Sequence, residues 1–240
     1  MGNYLFNDEK INIARGLYKG VSSVHKFGAV PSMATNTTGS VWDVSDTLYP
    51  WSAFASASAV TVDRADAGDA NKVVTIVGLD ENYAEVTDTC TLTNASGNTT
   101  DTGTTFIRVF RAFVSTGATN VGDIDIKVST TVVARIHADL GQTLMAIYTV
   151  PAGCTAYLMR GIMTVAANAD ATGNMYVRYF GQDAFRIGHT FEVAGTGGTY
   201  DYEFSVPQVI PEKSDIDVRA SVRSNNARVT AAFDIILKQN

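Results

Sequence analysis

The chain has 240 residues, of which 45% are hydrophobic and only 18% charged, with a formal net charge of -6 and a pI near 5.0. That length holds one large β-domain or two smaller ones, and the scarcity of charge excludes long charged helices. The acidic balance and the scatter of basic residues, with Arg108 and Arg111 the tightest pair, exclude a nucleic-acid partner, because phosphate affinity needs clustered Lys and Arg to displace counterions.

Residues 1–19 are polar and mixed in charge, without the basic stretch and apolar block of a secretory leader, so maturation in a cytoplasm is expected. Within them, Ile11, Ala14, Arg15 and Tyr18 fall at helical spacing and predict one short helix over 8–19. Residues 21–59 read as an irregular arm: Pro31, Gly39, Pro50 and the run 35–38 (T-N-T-T) interrupt regular structure. The arm nevertheless carries Phe27, Trp42, Tyr49, Trp51 and Phe54. Large aromatics need cover, either on this chain's own sheets or, as a candidate partner interface, on a neighbouring subunit.

Beyond residue 60 the dominant period is two, the mark of half-buried strands. Candidate strands are 72–79, 85–93, 105–114, 123–128, 131–136, 143–150, 155–165, 174–180, 185–193, 199–206, 216–222 and 228–237. In 199–206 the pattern places Tyr200, Tyr202, Phe204 and Val206 inward, and in 216–222 it places Ile216, Val218, Ala220 and Val222 inward with Asp217, Arg219 and Ser221 outward. In 85–93, Asp88 falls on the apolar side and reads as a strand-end or bulge residue. Gly-, Asn- and Pro-bearing turns separate these segments, among them 67–69, 78–82, 95–98, 151–153, 195–198 and 224–226. The fold class expected is all-β: an irregular arm with a short helix over 1–59, a smaller β-domain over 60–117, and an antiparallel, jelly-roll-like sandwich over 118–240, divided at the apolar-poor stretch 115–122. No apolar run approaches the roughly 18–20 residues that cross a bilayer, so no membrane partner is expected.

Chemistry is hard to find in this sequence. A Ser/His/Asp arrangement needs a base histidine; His137 reads as a strand-end residue, His189 lies in a strand-like segment and His25 sits before the aromatic arm, each with an ordinary structural role, without a G-x-S-x-G or a second ligand at metal spacing. Asp63, Asp66 and Asp69 lack the alternating ligands and closing Glu of a calcium loop and read as a solvated turn, with an irregular calcium site left open. Asp201 with Glu203, or Asp215 with Asp217, are the carboxylate pairs that a glycoside hydrolase could use. The G-T-G-G at 195–198 lacks the Lys and helix of a phosphate loop. Cys90 and Cys154 lie within strands and read as buried thiols. No enzyme activity, metal or cofactor is expected.

Five phrases resemble a group of virion proteins from tailed bacteriophages: V-S-S-V-H-K-F-G at 21–28, V-W-D at 41–43, V-V-T-I-V-G-L-D-E-N-Y-A-E-V at 73–86, F-I-R-V-F-R-A-F-V at 106–114 and G-Q-T-L-M-A-I-Y-T-V-P-A-G at 141–153. Together they span most of residues 21–160. The resemblance implies a structural component made in the bacterial host cytoplasm and carried in the virion, most simply a capsid decoration or cement protein. Its partners would be the major capsid protein or other virion proteins, with self-association as a trimer or dimer. Two alternatives stand beside it: a tail, neck or fibre component with a carbohydrate-binding sandwich, and a carbohydrate-active hydrolase.

Overall fold

Alternation of apolar and polar residues builds most of the backbone. The structure is a computed structural model that describes residues 8–166, 169–195 and 197–240, and it is almost wholly β. The start of the leader reading, 1–7, and Thr196 of the expected 195–198 turn lie outside the described residues. Helix α1 (Glu9–Ala14) is capped by the Asp8 side chain, which accepts from the Lys10 N–H. It is followed by β1 (Val21–Met33) and β2 (Thr38–Ser40). A middle stretch carries β3 (Ser58–Ala59), β4 (Thr61–Arg64), β5 (Val73–Leu79), β6 (Glu85–Thr91), β7 (Asn98–Thr99), β8 (Thr105–Phe106), β9 (Arg108–Val114), β10 (Ile124–Val128) and β11 (Thr131–Ile136). The chain continues through β12 (Ile147–Thr149), β13 (Cys154–Val165), β14 (Ala171–Arg178), β15 (Arg186–Val193), β16 (Thr199–Ile210), β17 (Asp215–Val222) and β18 (Ala227–Gln239).

The pairings resolve into a jelly roll. One sheet runs β1-β18-β13-β16 and the other β12-β17-β14-β15, all antiparallel, with β2 joining β17 on the side that β12 occupies lower down. Numbered along the chain, the strands of these two paths fall in the orders 1-8-3-6 and 2-7-4-5, the arrangement of two interlocked Greek keys. The filling between the sheets comes from one parity of each strand: Ala227, Val229, Ala231, Phe233, Ile235 and Leu237 of β18 face Ile216, Val218, Ala220 and Val222 of β17 across a single core.

The jelly roll therefore starts at residue 21, not at 118. The stretch 21–59 was expected to be irregular, yet it opens with a 13-residue strand. Gly28 and Pro31 hide that strand from a period-two search, and both are tolerated for local reasons. Among the described residues only β18 borders β1, and the register shifts between Val30 and Met33, so a proline there removes no ladder bond from a central strand.

Residues 41–146 form an insertion between the first and second strands of the roll. Its second core is lined by the sheet β11-β10-β4-β7 and by one face of the sheet β6-β5-β9, with the short pair β3-β8 alongside. The other face of β5 and β9 sends Leu79 and Phe110 to the jelly-roll core, so this sheet is a shared middle layer. The division expected at 115–122 is overturned by pairing: β10, after it, pairs with β4, before it, through Ile124↔Arg64 to Lys127↔Thr61. A stretch poor in large hydrophobes here is a crossing inside one unit.

Candidate functional site: an open sandwich edge and a junction cleft

Four of the five arm aromatics are consumed by the chain itself. Trp42, Tyr49, Trp51 and Phe54 are buried in the second core. Each polar tip is also satisfied internally: Trp42 Nε1 donates to the Thr47 carbonyl at 3.0 Å, Tyr49 Oη to the Val109 carbonyl at 3.1 Å and Trp51 Nε1 to Asp217 Oδ2 at 3.1 Å. These four have no free surface to offer a neighbour, which corrects the partner-interface expectation for them. Phe27 alone, 38% exposed on edge strand β1, keeps such a surface.

Trp51 leads to the most concentrated charge in the molecule. Asp215 and Asp217, on the face of β17 expected to be solvated, are fully buried because the insertion covers it. Asp215 accepts from Arg108 Nε and Nη2 at 2.8 and 3.0 Å, from Arg178 Nη2 at 2.5 Å and from the Thr149 hydroxyl at 2.6 Å. Asp217 accepts from Arg219 Nε at 2.8 Å as well as from Trp51. Aromatic faces complete the cage: the Arg108 and Arg178 guanidinium groups lie 5.4 and 5.5 Å from the Trp51 ring, and Arg219 lies 4.5 Å from both Tyr176 and Phe185. Every oxygen of Asp215 is thus paired, while Asp217 keeps Oδ1 without a protein partner. The lattice fixes the insertion onto the roll, joining residues from 51 to 219. Sequence offered one signal for it, two Asp alternating on a strand whose other face is wholly apolar.

Above this cage a cleft of about 430 Å³ opens between the insertion and the β14–β15 loop, with Tyr83, Phe180, Asp183 and Lys213 on its rim. Tyr83 and Phe180 meet edge to face at 5.6 Å, and Phe180 remains 59% exposed.

The second feature is the open side of the sandwich, where the sheets end in β15 and β16. His189, Phe191, Tyr200, Tyr202 and Phe204 form a continuous aromatic contact between these edges, with His189 and Tyr202 stacked at 4.6 Å. Burial lowers the His189 pKa and favours the neutral ring. Both strands are blunted against backbone pairing. Gly188 is an extra residue between the pairs Met175↔His189 and Tyr176↔Ile187, and residues 204–207, including Pro207, stand opposite Met159 alone. Apolar side chains are exposed along these edges: Val206, within the bulge of β16, is 78% exposed, Ile187 56%, Val209 53% and Tyr202 39%. Val206 was expected inward, and its place in the bulge breaks the parity, whereas Tyr202, in register opposite Gly161, keeps the inward side stacked on His189 and is exposed because the edge is open.

The remaining candidate groups have ordinary partners. His25 Nδ1 lies 2.5 Å from Asp234 on an exposed sheet face, and His137 sits between Asp123 and the Asp43 carbonyl. Asp63 pairs with Lys127, Asp66 caps the Gly68 N–H, and buried Asp69 holds Lys72 and the N–H groups of Val121 and Gly122, so the three carboxylates point to separate tasks. Asp201 and Glu203 pair with Arg160 and Lys10. Asp88 is neither a strand-end nor a bulge residue: it lies in register opposite Ile76. Burial pushes its carboxyl up, but bonds from Thr102, Thr104 and Thr89 outweigh that and hold it down at about 2. Cys90 and Cys154 are free thiols. No helix among the described residues is long and apolar enough to cross a membrane.

No family model and no curated protein matches the chain. Among solved structures, the infectious bursal disease virus Gt strain is similar at 12% identity and a TM-score of 0.23, covering 92% of this chain and 73% of that one. The VP2 subviral particle of infectious bursal disease virus is similar at 9% identity and a TM-score of 0.21, covering 92% and 77%. At these scores the likeness carries no argument, and the jelly roll rests on the strand pairing above.

Proposed function

We propose that this chain is a structural subunit of a virus particle, of the tailed-bacteriophage kind its sequence phrases resemble, and that it serves as a capsid decoration or cement protein without catalytic activity. The observation that carries this reading is the open edge of the jelly roll. It displays Ile187, Tyr202, Val206 and Val209 on strands whose bulges and proline prevent open-ended sheet extension. Such an edge suits side-chain docking onto a partner of fixed shape while discouraging aggregation of free chains. The acidic pairs that hydrolysis would use are each committed to a basic partner, which favours a binding role. Docking onto the major capsid protein, or onto a further copy around a lattice axis, follows from a closed, symmetric shell.

The test is to image particles and to add purified chain to shells that lack it. Decoration requires copies in the hundreds spread over the head, and Val206→Asp should abolish uptake while leaving the thermal unfolding of the free chain unchanged. About six or twelve copies confined to one vertex, as ring symmetry demands, would refute the cement role.

A further inference from the structure

We propose that the junction cleft is a binding site for an acidic saccharide, a sugar ring bearing a carboxylate. Its volume, about 430 Å³, falls within the roughly 300–1,000 Å³ of small-ligand sites. The floor includes Asp215, both of whose oxygens are already bonded, so the groups left to act are on the rim. Lys213 lies 5.0 Å from the Phe180 ring and 5.7 Å from the Tyr83 ring, and its ammonium has no carboxylate partner among the described residues. Asp183, exposed on the same rim, also has no partner among them. By contrast, the similar cleft beside α1 has its own charges paired, Lys10 with Glu203 and His25 with Asp234.

The backbone fixes how two of the rim side chains are presented. Tyr83 and Lys213 both adopt left-handed conformations, with φ of 61° and 59°. The same conformation recurs outside the cleft at Asn36, Asn71, Ser129 and Asp139, and at Tyr83 it belongs to the turn in which the Tyr83 N–H donates to the Asp80 carbonyl. At Tyr83 and Lys213 it aims rim side chains of one cleft. The three components match one chemistry: the exposed Phe180 ring supplies a surface for the C–H face of a sugar, the Lys213 ammonium a point charge for a carboxylate, and the Asp183 carboxylate an acceptor for hydroxyl groups. Arg108, Arg178 and Lys213 against Asp183 and Asp215 leave one surplus positive charge at the cleft, within a chain of net charge -6. That local surplus selects an acidic over a neutral sugar.

Titration calorimetry of the full chain tests this with a hyaluronan tetrasaccharide as the glucuronate-bearing probe and cellotetraose as the neutral control. The expected result is saturable binding of the acidic probe, at least about tenfold tighter than the neutral one, a difference of about 1.4 kcal/mol. Phe180→Ala and Lys213→Gln should each weaken it at least about tenfold with thermal unfolding unchanged, and Asp183→Asn, at a partnerless rim position, keeps the test open should either misfold. Absence of saturable binding, equal affinity for cellotetraose, or variants that bind like the wild type would overturn the proposal. The assay needs no particle, so its failure leaves the proposed place on the capsid standing, and the reverse also holds.

Discussion

Lys26 offers the sharpest test of how the insertion is seated on the jelly roll. It lies on β1, 8% exposed, where its ammonium donates to the Phe110 carbonyl of the middle layer and sits 5.5 Å from the Phe110 ring. No carboxylate bonds it among the described residues. Burial, reinforced by the charge of Arg111, pulls its pKa from 10.5 down to about 7. The unfolded chain thus holds a proton that the folded chain has released between about pH 7 and 10.5, and stability rises with pH across that window. Below pH 7 both states are protonated and the burial penalty is present in full. A shift of about 3.5 units at about 1.4 kcal/mol each sets a ceiling of about 5 kcal/mol. Lys26→Met keeps the packing of the stem and removes the charge. Urea unfolding from about pH 6 to about pH 10 should show the variant more stable than the wild type at the acid end, with the difference shrinking steadily toward the alkaline end. Parallel profiles for the two proteins would refute the reasoning.

Asp43 should show the opposite slope, because burial pushes its carboxyl up to about 7 while Oδ1 finds no protein partner and only Oδ2 accepts from the Leu144 N–H. The folded state keeps a proton that the unfolded state loses between about pH 4 and 7, so stability falls over that range, and Asp43→Asn should flatten the fall in thermal melts. Asp215→Ala strips Arg108, Arg178 and Thr149 of their shared acceptor, and a loss of about 3–5 kcal/mol is expected in denaturant titrations, as for a broken buried pair. Gly28→Ala would place a Cβ 2.2 Å from the Val41 carbonyl oxygen and 2.4 Å from the Ala146 nitrogen, both backbone atoms. Since backbone yields little, a cost of at least about 1–3 kcal/mol should appear as a lowered Tm.

The candidate sites were less legible than the fold. Exposed Val206 reads in the sequence as one more inward residue of T-Y-D-Y-E-F-S-V, and only the excess residues opposite Met159 reverse it. Asp217 reads as solvated because β17 alternates cleanly, and it is buried because a second unit covers that face. Phe180, Lys213 and Tyr83 are far apart in the chain and meet only across the junction.

Side-chain parity along each strand is a local property, and with the turn residues between strands it was enough to determine the all-β class, most strand positions and the sandwich itself. Which strands pair is not local. It was decided by closure of the roll around one core, which recruited residues 21–33 as its first strand and drew β10 back to β4. Parity names two faces for every strand, but burial of each depends on what the rest of the chain brings against it.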